Sequence, residues 1–465
     1  MRSRRFSAWR AGSCFASLYQ PLVLLALMLT SVGVRAQSEG PQSSPPQQGP
    51  AEELSEDESG APQEELETPP PPVESPQGKK GELAGLPVIA GNDTFGFLVG
   101  VTGTYTHFAP DYRPFRFRGQ LTAVTSIQGS DDGVQFPLQN IDLRLDFPGL
   151  RGGRVRLYTL VRYQRILDMG YWGLGNEAPG NIPADYEGPR ERFFQYEKWL
   201  GEGRLFMRYK MRPHLDLVAG PGARLVKTGV LPDSRLARDL RDVPAARALL
   251  YGTGTMQIYD ALLGILVDTR DDEINPSSGS YHELSVRGGV GPASDRPIHY
   301  GSVTVHTRWF WPLAGERLVF GARAMADIGF GAMPLIELGT VGGYFSHAGP
   351  AGLEANRGLP YGRQLGQVKL LNTAELRSTF YHFSLFGQQL ALGAATFLDA
   401  SRVWAKLPAV RSLDGGPVMR ISVGGGPRVV WGRGLVLRFD VGFAPGAGVD
   451  GRNNVSTTLD MDHTF

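Results

Sequence analysis

The residue types that perform catalysis or bind metals are few and widely separated in this sequence. Its eight histidines have no ligand spacing to one another, and the one cysteine, Cys14, lies near the N-terminus. Ser302 and His306 share one predicted strand without the third member that a hydrolase needs. The acidic run at 271–273 could bind a divalent cation, although a solvated turn is the commoner setting for such a run. We therefore predict no enzymatic activity and no cofactor.

The N-terminus has the pattern of a secretory signal peptide. Four arginines precede the apolar run 21–34, and a small-residue cleavage site, Val34-Arg35-Ala36, follows it. The apolar run is about 14 residues, short of the roughly 18 that a spanning helix needs, so cleavage is favoured over anchoring. We assign residues 1–36 to the signal. Cys14 would leave with it, and the mature chain would contain no disulfide.

Residues 37–85 differ sharply in composition from the remainder of the chain. They are rich in Pro, Gln and Glu, and they offer too little apolar surface to offset the entropy of ordering. We predict a disordered linker in the periplasm, partly in the polyproline conformation. A role in spanning the periplasm is a second interpretation beside that of a passive spacer.

Charge and hydrophobicity restrict the remaining classes of protein. The chain has 47 basic and 46 acidic residues, a net charge of +1, and so has no overall electrostatic attraction to nucleic acid. Hydrophobic residues make up 42% of the chain, and no long apolar helix follows residue 36. An exported chain of this kind is either a soluble secreted domain or a transmembrane barrel with alternating strands.

Residues 86–465 read as one all-β domain, because short alternating segments are separated by Gly, Pro, Asn and Asp. In the clearest segment, Leu435, Leu437 and Phe439 share one face while Arg438 and Asp440 share the other. Sixteen such segments, with roughly 24 residues each including loops, fit the tilted strands of a membrane barrel. We place them near 94–107, 115–128, 134–147, 153–167, 190–200, 203–212, 214–228, 259–270, 280–290, 299–312, 317–330, 367–380, 388–403, 417–428, 434–444 and 455–465.

The last predicted strand, 455–465, ends on an aromatic residue. Val455, Leu459, Met461 and Phe465 would share its apolar face. This pattern resembles the C-terminal β-signal by which the cell's barrel assembly machinery recognises outer-membrane barrels, so Leu459, Met461 and Phe465 are its candidate residues.

Four segments resemble the BamA/TamA and bacterial surface antigen superfamily, which includes two-partner secretion transporters. Residues 86–96 resemble the entry into the first barrel strand, and 171–177 resemble an aromatic-Gly-x-Gly-Asn loop. Residues 267–281 resemble the most specific motif, Asp-x-Arg-Asp followed by Asn-Pro-x-x-Gly. Residues 356–360 fall where the family has Val-Arg-Gly-Phe/Tyr at the tip of its sixth outer loop.

The sequence also departs from the family pattern. Asn356 replaces the family's Val, Leu359 replaces its aromatic residue, and Ser401 replaces the Gly of Phe-x-Asp-x-Gly. Assembly barrels also have periplasmic POTRA domains, and a Pro/Glu tract of about fifty residues is not expected to form one.

The resemblance implies one cluster of interacting charges. In the family, the arginine of the loop's Arg-Gly pair meets acidic residues of the next two strands. The matching residues here are Arg357 and Gly358 in the loop and Glu375 and Asp399 on the strands. An arginine inside a restricted lumen requires carboxylate partners, because an unpaired charge there is costly. We therefore expect Arg357 to hold the loop in place. The alternative is that all three charges are solvated separately.

The resemblance implies a sixteen-stranded antiparallel transmembrane β-barrel in the outer membrane, with the sixth outer loop inserted in the lumen. Its implied function is insertion or translocation of proteins, and its partners would be outer-membrane lipid and unfolded barrel or secreted clients. A second hypothesis is a channel or surface barrel without assembly activity. A third is a soluble β-sandwich adhesin.

Overall fold

The structure is a computed structural model. It describes residues 81–465 except 93–95, 110–114, 131–132, 177, 345–348, 353, 386–387, 407–418, 433–434 and 462. The predicted signal peptide, 1–36, and nearly all of the predicted linker, 37–85, lie outside the described residues.

Long strands dominate the described residues. Sixteen have eight or more residues, and one, β4, has three. In chain order they are β1 (Gly81–Asn92), β2 (Gly96–His107), β3 (Phe117–Ser130), β4 (Gly133–Gln135), β5 (Leu138–Leu150), β6 (Val155–Gly170), β7 (Gln195–Arg212), β8 (Leu215–Gly229), β9 (Thr255–Asp268), β10 (Gly279–Gly291), β11 (Ile298–Pro312), β12 (Leu318–Ala332), β13 (Val368–Leu385), β14 (Gln388–Trp404), β15 (Arg420–Trp431), β16 (Leu435–Ala444) and β17 (Asn454–Met461).

Each long strand pairs antiparallel with the next long strand along the chain, from β1–β2 to β16–β17, and β4 extends the β3 hairpin. Successive connections therefore alternate between two rims of one sheet. One rim has the long connections 171–194, 230–254 and 333–367, whereas the other has tight turns such as 151–154 and 213–214. We call these the loop rim and the turn rim.

Two parts of the predicted strand assignment were wrong, and the described residues form seventeen strands, of which β4 is short. The chain enters the sheet at Gly81, before the predicted first strand, because β1 contains Pro87 and several glycines that disguise an edge strand. The predicted strands 190–200 and 203–212 are the single strand β7. Gly201 and Gly203 suggested a turn, but the chain stays extended there, and Glu202 pairs with Arg204 (2.6 Å).

The sheet exposes apolar side chains on one face and buries charged ones on the other. Along β9, Tyr259, Leu263 and Ile265 are about half exposed, whereas Asp260 is buried. Similarly, Val286 on β10 is exposed and Arg287 is buried. This arrangement is the reverse of a soluble sandwich, where the charged face meets water.

The helices are short and lie in the loop-rim connections. They are α1 (Arg235–Asp242), α2 (Pro244–Leu249) and α3 (Leu335–Leu338), besides 3-10 turns at Arg190–Arg192 and Val449–Gly451. Ser234 caps α1, since its hydroxyl accepts a hydrogen bond from the Ala237 amide (3.3 Å). Among the described residues, no helix combines the length and apolar character required to cross a membrane.

The largest apolar cluster lies beneath the loop rim. Side chains from three connections meet there, and strand residues such as Ile258 and Met256 pack against them. We call this cluster the loop layer. Its loop members are Tyr171, Leu236, Leu250, Met333, Leu335, Leu338 and Leu365.

Candidate functional site

The connection 333–367 between β12 and β13 forms the centre of the candidate site. Gly349, Gly352 and Gly362 adopt positive φ angles of 71°, 115° and 70°, a region that favours glycine, and this allows the chain to turn back on itself. Arg357, in its second half, is only 1% exposed. The connection therefore lies against the charged face of the sheet.

Arg357 contacts both carboxylates expected from the family resemblance. Its Nε donates to Asp399 Oδ2 (2.9 Å), and its Nη1 donates to Glu375 Oε2 (2.7 Å). The Arg357 amide also donates to Asp399 Oδ2 (3.0 Å), so the carboxylate binds backbone and side chain together. Phe397 lies 3.4 Å from the guanidinium carbon, measured to its ring centroid, and closes the remaining face. The guanidinium is held on several sides.

A third carboxylate, Asp440 on β16, was not predicted as a partner. Arg357 Nη1 donates to its Oδ2 (3.2 Å). Alternation had placed Asp440 on the charged face, but nothing in the sequence indicated that β16 reaches the loop. The excess negative charge is offset by three further arginines, namely Arg377 on Glu375 (2.8 Å) and Arg428 and Arg438 on Asp440 (2.8 and 3.0 Å). The cluster is a network rather than an isolated pair.

Gly358 has a packing role. A Cβ there would lie 2.5 Å from Ser422 Cβ and 2.8 Å from the backbone carbon of Phe443. On β16, a Cβ at Gly442 would lie 2.8 Å from the Arg357 backbone. Two glycines thus allow the loop backbone to touch the sheet, and the Gly358 amide donates to Ser422 Oγ (3.1 Å).

Two of the departures from the family pattern contact each other. Asn356 Nδ2 donates to Ser401 Oγ (2.8 Å) and to the Arg420 carbonyl (2.8 Å). Ser401 Oγ in turn donates to Gln364 Oε1 (2.5 Å), within the same connection. Asn356 and Ser401 are both fully buried. A polar contact therefore occupies the place where the family has an aliphatic residue and a glycine.

A second charged contact holds the first half of the connection. Glu337, on α3, is fully buried and pairs with Arg224 of β8 and with Arg287 of β10 (2.5 Å). Arg224 also pairs with Asp260 (2.6 Å) and donates to the Tyr300 hydroxyl (2.8 Å). This contact could not be predicted from the sequence, because α3 carries no motif.

The terminal segment 463–465 leaves the sheet and lies on its charged face. The expectation that Phe465 continues the exposed face of Leu459 was wrong, since Leu459 is 46% exposed and Phe465 only 4%. The Phe465 ring stacks on Phe310 (5.9 Å between centroids), and Arg377 donates to the Phe465 carbonyl (2.8 Å). Alternation alone could not predict that arginines on the charged face would contact Phe465. The part of Leu459, Met461 and Phe465 in recognition stays a prediction.

The acidic run 271–273 shapes a turn in the β9–β10 connection. Asp271 accepts hydrogen bonds from the Ser277 and Ser278 amides (3.0 and 3.1 Å). Asp272 accepts from the Ile274 amide (2.7 Å), and Glu273 pairs with Arg156 (2.7 Å). Within the described part of the chain, no group of three His, Cys, Asp or Glu residues could hold a metal ion.

The described strands form an antiparallel sheet that exposes apolar side chains on one face, as outer-membrane barrels do. A family model described as the Omp85 superfamily domain matches residues 201–457, more than half of the chain. The chain belongs to the Omp85 superfamily, which confirms the resemblance drawn from the sequence motifs.

Two solved structures resemble the chain more distantly. One is BamA from Haemophilus ducreyi lacking POTRA domains 1–3, with 14% identity, a TM-score of 0.44, and 82% of this chain matched to 70% of that chain. The other is CdiB from Escherichia coli, with 12% identity, a TM-score of 0.48, and 82% of this chain matched to 62% of that chain. This chain thus spans less than two thirds of CdiB. Among curated proteins, none matches.

Proposed function

We propose that residues 81–465 form a closed, sixteen-stranded barrel in the outer membrane, with the connection 333–367 as a lumen-inserted loop. The reversed burial pattern supports this architecture, because an apolar outer face suits lipid and a charged inner face suits a wet lumen. Closure would join β1 to the β16–β17 end of the sheet. Ala84 of β1 packs with Leu435 and Leu437 of β16, and among the described residues no backbone pairing joins β1 to β16 or β17.

We propose that this barrel inserts or translocates proteins at the outer membrane. The observation that carries the proposal is Arg357, held against Glu375 and Asp399 beside the backbone contact of Gly358 with β16. The loop arginine and the two carboxylates that the resemblance assigns to it therefore lie within hydrogen-bonding distance, which supports the proposal. Clients of this chain would be unfolded barrels or secreted proteins, as membership of the superfamily suggests.

The channel hypothesis predicts an open passage through the barrel. The loop layer opposes such a passage, since apolar side chains from three connections pack together beneath the loop rim. An enzymatic role has no support from the described residues: His306 Nε2, for example, accepts a hydrogen bond from Arg308 (2.9 Å). We therefore favour insertion or translocation over conductance.

A paired assay tests the proposed function. The full chain, folded into liposomes, should accelerate the insertion of a urea-unfolded eight-stranded barrel, while planar bilayers should register little steady conductance. Arg357→Ala should reduce the insertion rate, and Arg154→Ala, on an exposed turn, serves as the charge-loss control. Steady conductance without accelerated insertion would support the channel hypothesis instead.

The N-terminal tract and the last strand are tested separately. Protease removal of 37–85 should leave a barrel that still shifts in gel mobility on heating. For the β-signal, Leu459→Asp should lower outer-membrane levels, because a lipid-facing acid is destabilising, by less than the roughly 2 to 4 kcal/mol of a basic residue, and alters the recognised face. Normal levels of that variant would contradict the recognition role.

A further inference from the structure

A cavity of about 550 Å³ opens on the outer face of the sheet at the turn rim. It lies where β2 ends, β3 begins, and β5 turns into β6. No described residue of the connection 333–367 lines it. Its most informative lining residues are three aromatic and three basic side chains, namely Tyr105, Phe117, Phe147, His107, Arg116 and Arg151.

The aromatic residues form a continuous row across three strands. The Phe117 ring lies 4.9 Å from Phe147 and 6.5 Å from Tyr105, between centroids. Gly119 allows this packing, since a Cβ there would lie 3.2 Å from the Phe117 ring. Rings at the end of barrel strands occupy the zone between lipid tails and headgroups, where an apolar body meets a polar boundary.

The basic residues lie at the edge of this row. Arg116 and Arg151 are exposed, and His107 is half-buried. Among the described residues that line the cavity, none is acidic. Asp146 on β5 pairs with Arg156 (2.5 Å) and does not line the cavity. The cavity therefore combines an apolar floor with a basic rim.

We propose that this cavity binds an anionic phospholipid, with the acyl chains along the aromatic row and the headgroup phosphate against Arg116 and Arg151. Guanidinium groups pair with phosphate through two parallel hydrogen bonds, and the rings cover the first methylene groups. The site rests on the proposed membrane barrel but not on its assembly activity. It would fix the orientation of strands β2 to β5 relative to the membrane surface.

Lipid retention tests the proposal. The full chain is folded into nanodiscs of equal phosphatidylglycerol and phosphatidylcholine, and retained lipids are identified by native mass spectrometry. Each arginine should contribute roughly fivefold in affinity, so Arg116→Gln/Arg151→Gln should weaken phosphatidylglycerol retention about 25-fold. The control Arg212→Gln/Arg317→Gln removes the same charge from other turn-rim positions and should retain the lipid.

Two further arms make the outcome decisive. Phe117→Ala should weaken retention without a change in charge, and inorganic phosphate in excess should fail to displace the lipid. If Arg116→Gln/Arg151→Gln and the control Arg212→Gln/Arg317→Gln lost phosphatidylglycerol equally, or if phosphate alone displaced the lipid, the proposed lipid site would be wrong. Gel mobility that shifts on heating is measured on the same samples, because failure to form a barrel would overturn the proposed architecture as well.

Discussion

The two halves of the connection 333–367 are held by charges of opposite sign. In the second half, the cation Arg357 meets carboxylates on β13, β14 and β16. In the first half, the anion Glu337 meets arginines on β8 and β10. One connection therefore contacts two separate parts of the sheet, each through a charge that complements it.

The two contacts also differ in what surrounds them. The Arg357 contact includes two backbone hydrogen bonds, from the Arg357 amide to Asp399 and from the Gly358 amide to Ser422. Glu337 is held by its carboxylate and by the apolar packing of its neighbours Leu335 and Leu338. Loss of Arg357 would leave several carboxylates without their central cation. Loss of the Glu337 charge would leave Arg224 its pair with Asp260, and it would remove the carboxylate that pairs with Arg287. We therefore expect the Arg357 contact to be the stronger of the two.

Arg357→Ala should have the largest effect, because it leaves Asp399 and Glu375 buried with fewer compensating charges. Breaking a buried ion pair from one side costs about 3 to 5 kcal/mol. The measurement is urea unfolding followed by heat-dependent gel mobility, with limited proteolysis of 333–367. Double-mutant cycles with Asp399→Asn and Glu375→Gln isolate the pairwise energies. Coupling energies near zero in both cycles would mean that the charges are solvated separately.

Glu337→Gln should destabilise the first half of the connection by a smaller amount, about 1.5 to 3 kcal/mol, the contribution of hydrogen bonds to charged groups. Proteolysis should then cleave nearer α3 than in Arg357→Ala. Glu316→Gln, on the exposed β11–β12 turn, is a suitable control. A loss larger than that of Arg357→Ala would reverse the expected order of the two contacts.

Gly358→Ala tests the backbone contact without removing a charge. The added methyl group would meet Ser422 and the β16 backbone, and such overpacking costs about 1 to 3 kcal/mol. Gly442→Ala, on the opposite side of the contact, should behave alike, whereas Gly129→Ala has open space and should be neutral. Unchanged protease sensitivity in both contact variants would show that the close approach is dispensable.

The sequence alone could identify Arg357, Glu375 and Asp399, because a motif and the alternation of two adjacent strands indicated where they lie. It could not identify Asp440 as a partner, since alternation assigns a face and not the distance to a loop. Glu337 was out of reach for a different reason: its partners lie on β8 and β10, and only the folded sheet brings them to α3.

Strand assignment failed where composition was misleading. Pro87 and neighbouring glycines hid β1, and Gly201 and Gly203 divided β7, although pairing with adjacent strands keeps both segments extended. Phe465 illustrates the same limit at the other end. Its alternation with Leu459 is regular, but Arg377 and Phe310 bind it on the opposite face of the sheet.

The smallest predicted effect concerns the hydrogen bond between Asn356 and Ser401, which holds only the half of the connection that contains Arg357. Ser401→Gly alone should cost about 1 kcal/mol, since Asn356 Nδ2 keeps the Arg420 carbonyl as an acceptor. Asn356→Val alone should cost about 1 to 3 kcal/mol, because it leaves buried acceptors without their donor.

The double variant restores the residues that the family pattern has at both positions, and it removes both polar partners together. Its cost should be lower than the sum of the single costs by about 1 kcal/mol, which a double-mutant cycle can resolve. The same substitutions should leave cleavage near α3 unchanged, because Glu337 does not contact either residue. If the single costs simply add, the hydrogen bond between Asn356 and Ser401 contributes nothing, and the two departures from the family pattern are independent of each other.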